Sequence, residues 1–293
     1  MSKNQRAVNL TVDPWVIEIL VDPISKAPFK EYSEFNFLST CGFLYSYKFD
    51  VPDFRIDLSN SLNKWAFGQQ EFEEWFLSYL DRGEDDPNFY KNEVHRDSPV
   101  YEKFAINGMG RVLDVGGQLG HIRKYLTPNQ EYCSIDPFIG AHRLAANKKQ
   151  LFSTYPLDEP LNLIAGFAEF LPFREMSFQV VNMRSCLDHF FNPQQALLEA
   201  FRVLQPGGHL IIGLTLEGQS NKAKIKDLIR PIAGAFFHKF QDHHMWHPTY
   251  GNLNTLTKNC GFTLIEEFWQ TPDILYALFT RNETHKITAN TES

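Results

Sequence analysis

The chain has 293 residues, of which 43% are apolar and 22% charged, and its formal net charge is −7. This length suffices for one large domain or for a standard domain with a small companion. The acidic balance, without a dense Lys/Arg cluster, disfavours nucleic acid as a partner, and no apolar run is long enough to predict a membrane span. Four scattered cysteines without a C-x-x-C pair predict neither disulfides nor a cysteine zinc site, and they favour the cytoplasm.

Residues 1–58 are expected to form a small separate module. Two segments, VIEILVDPISKAPFK and GFLYSYKFDVPDFRIDL, are apolar or alternating runs that break at prolines, as hairpins do. They resemble the zinc-ribbon-like domain that activates several RNA and protein methyltransferases, with matches at Ile19, Leu20, Val21, Pro23, Val51, Pro52 and Asp53. Asp22 stands where that family has its first cysteine, so we expect a ribbon without zinc. Residues 59–98 follow as a helical bridge, and Ser98-Pro99 suits the start of a further helix.

The next stretch, RVLDVGGQLGHIRKYL, predicts a strand, a glycine turn and a helix opening near His121. Glycine permits close approach of the backbone, and the free N–H groups of a helix start point at a ligand. The spacing G-G-x-x-G differs from the dinucleotide fingerprint G-x-G-x-x-G, so hydride chemistry gains no support. The same pattern also occurs in ordinary strand-to-helix turns of α/β folds.

This stretch resembles motif I of the class I S-adenosylmethionine-dependent methyltransferases, L-D-V-G-x-G-x-G. The matches are Leu113, Asp114, Val115, Gly116 and Gly120, with Gln118 in the place of the middle glycine. The resemblance implies S-adenosylmethionine as the cofactor. It also implies that the cofactor is contacted by Asp114, Gly116, Gln118 and Gly120.

A second strand, EYCSIDPF, ends at Asp136 and Pro137, 20 residues beyond Gly116. A carboxylate at the tip of this strand can accept both hydroxyl groups of a ribose. An aspartate before proline is also a common turn residue, but the spacing favours the ribose interpretation.

The segment GFAEFLPFREMSFQVVNMRS resembles the family's G-D-A-E-x-L-P-F-x-x-x-S-F-D-x-V block. The resemblance implies that the adenine lies against Phe167, Ala168 and Glu169, although Phe167 replaces the residue that often bonds the adenine amino group. Arg184 follows the next strand, and two roles stay open for it: contact with the cofactor carboxylate, or a salt bridge to an inserted acid.

The segment LDHFFNPQQALLEAFRVLQPGGHLIIG matches the family form L-x-H-x-x-D-P-x-x-x-L-x-E-x-x-R-V-L-K-P-G-G-x-L-x-I at thirteen positions, and it implies the fold of residues 99–281. The implied fold is α/β, a Rossmann-like seven-stranded methyltransferase sheet with an antiparallel last strand. Apolar residues at helical spacing over 217–246 predict a helical lid, with a core or a homodimer interface as the alternative. Thr249 and Gly261 are expected to begin and end a helix, two closing strands follow, and residues 282–293 are expected to be disordered.

Methyl transfer to a hydroxyl group needs alignment and removal of a proton, and histidine suits the second task. The candidates are His189 near the end of the fourth strand and, at the lid exit, His243, His244 and His247. Histidines in such places are also common structural hydrogen-bonding residues. A further alternative is that two or three of these histidines converge with Asp188 or Asp242 and hold a divalent metal that binds a diol. The spacing H-H-x-x-H by itself is not a recognised ligand set, so no metal is predicted.

We therefore expect a methyltransferase that acts on a small molecule, by O-methylation of a sugar or secondary-metabolite hydroxyl. One rival is an RNA methyltransferase, suggested by the ribbon-like start and opposed by the acidic charge. The other is a subunit with the methyltransferase fold but no catalysis, favoured by Gln118, Phe167 and Gln179.

Overall fold

An eleven-stranded sheet organises the protein in the computed structural model. The structure describes residues 12–33, 36–48, 51–57, 74, 78, 89–117, 120–138, 162–217 and 244–283. The helices whose bounds lie within the described residues are α1 (Pro14–Ile19), α2 (Phe89–Lys103), α3 (Pro193–Val203) and α4 (Tyr250–Asn259). Short 3₁₀ helices span His121–Tyr125, Ala168–Phe170 and Leu187–His189. Among the described residues, no helix is long and apolar enough to cross a membrane.

The strands fall into an N-terminal group and a main group. The N-terminal strands are β1 (Glu31–Tyr32), β2 (Asn36–Leu38), β3 (Leu44–Lys48) and β4 (Val51–Asp53). The main strands are β5 (Val112–Val115), β6 (Tyr132–Asp136), β7 (Leu163–Ala165), β8 (Phe178–Arg184), β9 (Leu204–Thr215), β10 (Phe262–Trp269) and β11 (Ile274–Arg281). The order is β1-β2-β3-β4-β7-β6-β5-β8-β9-β11-β10.

The strand order places a topological switch point between β5 and its neighbours. From β5 the chain moves to β6 and β7 on one side, and later to β8 and β9 on the other, with all five strands parallel. Every residue of β5, β6 and β7 is buried, as parallel strands covered on both faces require. Strand β11 runs antiparallel to both β9 and β10. Ligands of such open sheets bind where the carboxyl ends of the strands diverge.

The expected count of seven strands is wrong for the sheet as a whole, because four N-terminal strands extend it to eleven. Asp53 of β4 pairs in parallel with Ala165 of β7, and the Phe54 amide donates to the Ala165 carbonyl at 2.8 Å. Phe54 and Phe37 share one hydrophobic core with Phe173 of the main part. Backbone hydrogen bonds and a shared core thus join the predicted N-terminal module to the main sheet.

Two local predictions need correction. Pro99 was expected in a first helical turn but lies inside α2, where burial of Val100 and Tyr101 outweighs the cost of a proline. The helix expected at His121 is a 3₁₀ helix of five residues, since Pro128 disfavours helical backbone at the residue before it.

The predicted helix from Thr249 to Gly261 is confirmed: Thr249 accepts from the Asn252 amide at 3.2 Å, and Gly261 has φ +90°. Most of the predicted bridge, 218–243 of the predicted lid and 284–293 of the predicted tail lie outside the described residues.

Candidate functional site

The glycine turn at the switch point brings the backbone against the end of β8. Gly116 follows β5 with φ +67°, a conformation that side chains rarely adopt. A Cβ atom on Gly116 would lie 2.8 Å from the Cβ of Cys186, whose thiol donates to the Val115 carbonyl at 3.2 Å. The position therefore requires glycine. Gly120 also has a positive φ, +69°, and Gln118 lies outside the described residues.

Asp114 ties three strands together beneath this turn. Its Oδ1 accepts a hydrogen bond from Nδ2 of Asn182 on β8 at 2.7 Å, and its Oδ2 accepts one from the hydroxyl of Tyr132 on β6 at 3.0 Å. Burial raises the pKa of Asp114 to about 6, against the lowering effect of these two hydrogen bonds. Neither Tyr132 nor Asn182 was predicted as a site residue, because polar residues inside apolar strands carry no family motif here.

A small cavity opens above Asp114, lined by Tyr101, Asp114, Gly116, Gly117, Ile122, Asn182 and Arg184. Arg184 makes one of the two contacts that the sequence left open, a salt bridge: its Nε lies 2.6 Å from Oδ2 of Asp97 on α2. Arg184 Nε also lies 3.2 Å from the hydroxyl oxygen of Tyr276. The acid from elsewhere in the chain is thus Asp97, and the guanidinium still borders the cavity.

Asp136 and Pro137 lie at the end of β6, directly beside the glycine turn. The Gly116 amide donates to the carbonyl of the preceding residue, Ile135, at 2.9 Å. Asp136 is 2% exposed, and its Oδ1 accepts from the Phe138 amide at 2.8 Å. Nη1 of Arg55, from the N-terminal part, donates to the Pro137 carbonyl at 3.0 Å. The N-terminal part therefore reaches the rim of this site.

Phe167, Ala168 and Glu169 follow β7 at the same edge of the sheet, and the 3₁₀ helix begins at Ala168. Phe167 is half-buried, whereas Ala168 and Glu169 are buried. Glu169 Oε1 accepts from the Asn192 amide at 3.2 Å, and burial raises the pKa of Glu169 to about 7. The carboxyl group of Glu169 is therefore hydrogen-bonded to the loop before α3.

A second cluster lies beyond Cys186, where the ends of β8 and β9 meet the start of the 244–249 segment. We call it the histidine cluster: Asp188, His189, Glu217, His244 and His247. His244 Nε2 lies 3.5 Å from Asp188 Oδ2, and His247 Nδ1 lies 3.4 Å from Glu217 Oε1. The imidazole of His244 lies between the other two rings, with centroids 4.6 Å from His189 and 5.9 Å from His247.

Backbone hydrogen bonds fix this cluster. The Asp188 carbonyl accepts from the amides of Met245 and Trp246 at 2.9 and 3.1 Å, and the Glu217 amide donates to the Pro248 carbonyl at 2.9 Å. Two of the predicted catalytic residues, His189 and His247, are thereby brought together, while His243 lies outside the described residues. The sequence named Asp188 only as an alternative metal ligand, and it missed Glu217, since a lone acid in a loop gives no signal without its partner.

The strand order, the glycine turn after β5 and the acid at the end of β6 form the arrangement with which open α/β sheets bind nucleoside-containing ligands at their switch point. The residues around the glycine turn fit S-adenosylmethionine. Asp136 at the end of β6 would offer a carboxylate oxygen to the ribose, and the backbone of Gly116 and Gly117 together with Arg184 lines the cavity beside the turn.

Comparison with known proteins agrees with this class. Residues 113–212 match the family described as a methyltransferase domain. A ubiquinone/menaquinone biosynthesis C-methyltransferase, UbiE of Hahella chejuensis, is 30% identical over 128 residues, which cover 41% of this chain and 49% of that protein. The uncharacterized methyltransferase YcgJ of Bacillus subtilis is 27% identical over 135 residues, which cover 42% and 52%. The solved structure of YcgJ aligns with 65% of this chain and 99% of its own at TM-score 0.49 and 14% identity.

The chain spans about half the length of the curated relatives it matches. The match over residues 113–212 supports the predicted class I methyltransferase fold and activity for that part of the chain. Members of this family use S-adenosylmethionine as the methyl donor.

Proposed function

We propose that the protein transfers a methyl group from S-adenosylmethionine to a hydroxyl group of a small molecule. One observation supports the proposal: the glycine turn and the histidine cluster lie at the same edge of the sheet, and the thiol of Cys186 between them donates to the Val115 carbonyl at 3.2 Å. A cofactor site and a set of proton-accepting side chains are thus neighbours, as an O-methylation requires.

The residues that hold the cofactor surround the turn. When bound, S-adenosylmethionine supplies a methyl group on a sulfonium, which is an excellent leaving group. Asp136 accepts the ribose hydroxyl groups, the backbone of Gly116 and Gly120 borders the amino-acid part, and the segment 167–169 lies against the adenine. Asp114 holds the turn in place through its hydrogen bonds to Tyr132 and Asn182.

His247 is the proposed proton acceptor. Its Nδ1 faces Glu217 at 3.4 Å, and a carboxylate in this place favours the tautomer with hydrogen on Nδ1. Nε2 then accepts the proton of the acceptor hydroxyl as its oxygen bonds to the methyl carbon. His189 lines the acceptor side of the cluster.

The acceptor class is a sugar or a secondary metabolite that carries a hydroxyl group, with no nucleic acid required. The net charge of −7 supports this choice over RNA. The test is incubation with methyl-labelled S-adenosylmethionine and a panel of phenols and sugar derivatives. We expect a methyl ether as product, with kcat lowered about 100-fold or more in His247→Ala and unchanged in the exposed His95→Ala. Labelling of RNA alone would overturn the acceptor assignment.

C-methylation is the second candidate, because several curated relatives are named C-methyltransferases. A phenolic ring deprotonated by the same histidine becomes nucleophilic at carbon as well as at oxygen. The carbon NMR shift of the labelled methyl group separates the two outcomes, since an ether carbon and a ring methyl carbon resonate in distinct ranges.

For the N-terminal part we propose a ribbon-like module that folds without zinc and packs against the cofactor rim. Its support is the turn after Asp22, where the buried carboxylate accepts from the amides of Ile24 and Ser25 at 2.8 and 2.7 Å. These two hydrogen bonds fix the turn at the place where a zinc–cysteine bond would fix it in a zinc-binding ribbon. We also propose that the protein works in the cytoplasm, which suits its four free thiols. In the variant His244→Ala, we expect unchanged thermal stability after treatment with a chelator, and a loss of stability in that variant would contradict the zinc-free module.

A further inference from the structure

Part of the histidine cluster has the composition of a metal site. One ligand atom from each of Asp188, His189 and His244 lies within 4.8 Å of the others. Two imidazoles and one carboxylate form a ligand set for divalent first-row transition metals and leave coordination positions open.

A second observation points to a ligand at the same place. Asp188 is 7% exposed, and its Oδ1 is buried without a hydrogen-bond partner among the described residues. A buried carboxylate oxygen without a partner is costly, so such atoms in native proteins call for an ion or a water. Oδ2 of the same carboxylate lies toward His244, so a cation held by both oxygens of Asp188 supplies the missing partner of Oδ1.

The distances agree with coordination better than with a hydrogen bond. His244 Nε2 and Asp188 Oδ2 are 3.5 Å apart, which is long for a hydrogen bond between these groups. Two ligands about 2.1 Å from one tetrahedral ion lie about 3.4 Å apart. Hydrogen bonds from Met245 and Trp246 to the Asp188 carbonyl already hold the two ligand segments together.

We propose that Asp188, His189 and His244 bind a divalent transition-metal ion whose open positions take an oxygen of the acceptor. The role of the ion toward the acceptor rests on the proposed function, whereas binding of the ion does not. The metal ion holds the hydroxyl oxygen, and His247, which lies outside the ligand set, receives the proton. An acceptor with two adjacent oxygens fits two open positions on one ion.

The test is titration of the purified full chain with Co²⁺ in the absence of S-adenosylmethionine and acceptor, followed by visible absorption. We expect one ion per chain with a ligand-field band. His244→Ala, at an exposed position, and Asp188→Asn should each weaken Co²⁺ binding at least about tenfold. His95→Ala, an exposed histidine outside the cluster, should bind as the wild type does.

Absence of the band, or equal Co²⁺ affinity in the wild type and His244→Ala, would overturn the site. If Asp188→Asn fails to fold, His244→Ala decides the question. A separate titration with S-adenosylmethionine distinguishes the two proposals. Cofactor binding without Co²⁺ binding removes only the metal site, and Co²⁺ binding without cofactor binding removes only the proposed function.

Discussion

The Nε atom of Arg184 lies 2.6 Å from the Oδ2 atom of Asp97, and this ion pair connects the end of β8 to helix α2. Tyr276 completes the group, since its hydroxyl lies 3.2 Å from Oδ1 of Asp97. Asp97 is fully buried and Arg184 nearly so. Because Arg184 also lines the cavity above Asp114, this contact positions one wall of that cavity.

Asp97→Asn should destabilise the protein strongly, because it leaves the Arg184 guanidinium buried without its counter-charge. We expect a loss of about 3 kcal/mol in the free energy of unfolding, measured by urea denaturation. Glu102→Gln, on the exposed face of the same helix, is the control and should change the stability by less than about 0.5 kcal/mol. Equal losses of stability in the two variants would show that the ion pair of Arg184 with Asp97 contributes no more to stability than an exposed charge does.

Gly116→Ala should also destabilise, for steric reasons. The positive φ and the clash with Cys186 together predict a loss of about 3 kcal/mol. The double variant Gly116→Ala/Cys186→Gly should recover part of this loss by removing the clash. Gly251→Ala is the matched control: it lies in α4 with no atom within 4 Å of a new Cβ, and it should stabilise by about 0.5–1 kcal/mol. If the double variant recovers no stability, the clash with Cys186 is not the cause of the loss in Gly116→Ala.

Glu169 predicts a pH dependence of stability. Its pKa is raised from 4.5 to about 7 in the folded state, so the folded protein binds the proton more tightly than the unfolded chain does. The stabilisation from this proton is complete below the unfolded pKa and is lost as the pH rises from 4.5 to 7, by about 3 kcal/mol in all. Glu169→Gln mimics the protonated form, so its stability relative to the wild type should increase over this range. A constant difference between the two proteins from pH 5 to 8 would contradict the raised pKa.

Asp136→Ala should weaken binding of S-adenosylmethionine at least about tenfold, because the ribose loses a charged hydrogen-bond acceptor. Asp136→Asn preserves the turn to Phe138 while removing the charge, and it should also bind more weakly than the wild type. Glu131→Gln, exposed at the other end of the same strand, is the control. Calorimetric titration compares the three variants, and an unchanged dissociation constant in Asp136→Ala would make the ribose assignment wrong.

The parts of the fold that short segments encode could be predicted from the sequence. Strand β5, the end of β6 at Asp136 and the helix from Thr249 each follow from local apolar runs, turn residues or caps. The same holds for the two closing strands. In each case the residues that decide the structure are neighbours in the chain, so one sequence is sufficient.

The rest depends on contacts between distant segments. The pairing of Asp53 with Ala165, which joins the N-terminal strands to the sheet, follows from strand register that no local pattern specifies. The ion pair of Arg184 with Asp97 requires α2 to cross the end of β8. His244 reaches Asp188 because backbone hydrogen bonds carry its segment there, although the sequence had already marked the histidines as a group.

Calorimetric titration of the purified protein with S-adenosylmethionine, and separately with its demethylated product, tests the central claim most directly. The site described above predicts that both ligands bind with micromolar dissociation constants and a stoichiometry of one per chain. Absence of binding by either ligand would contradict the claim that this methyltransferase domain uses the cofactor, and it would leave a non-catalytic role for the fold.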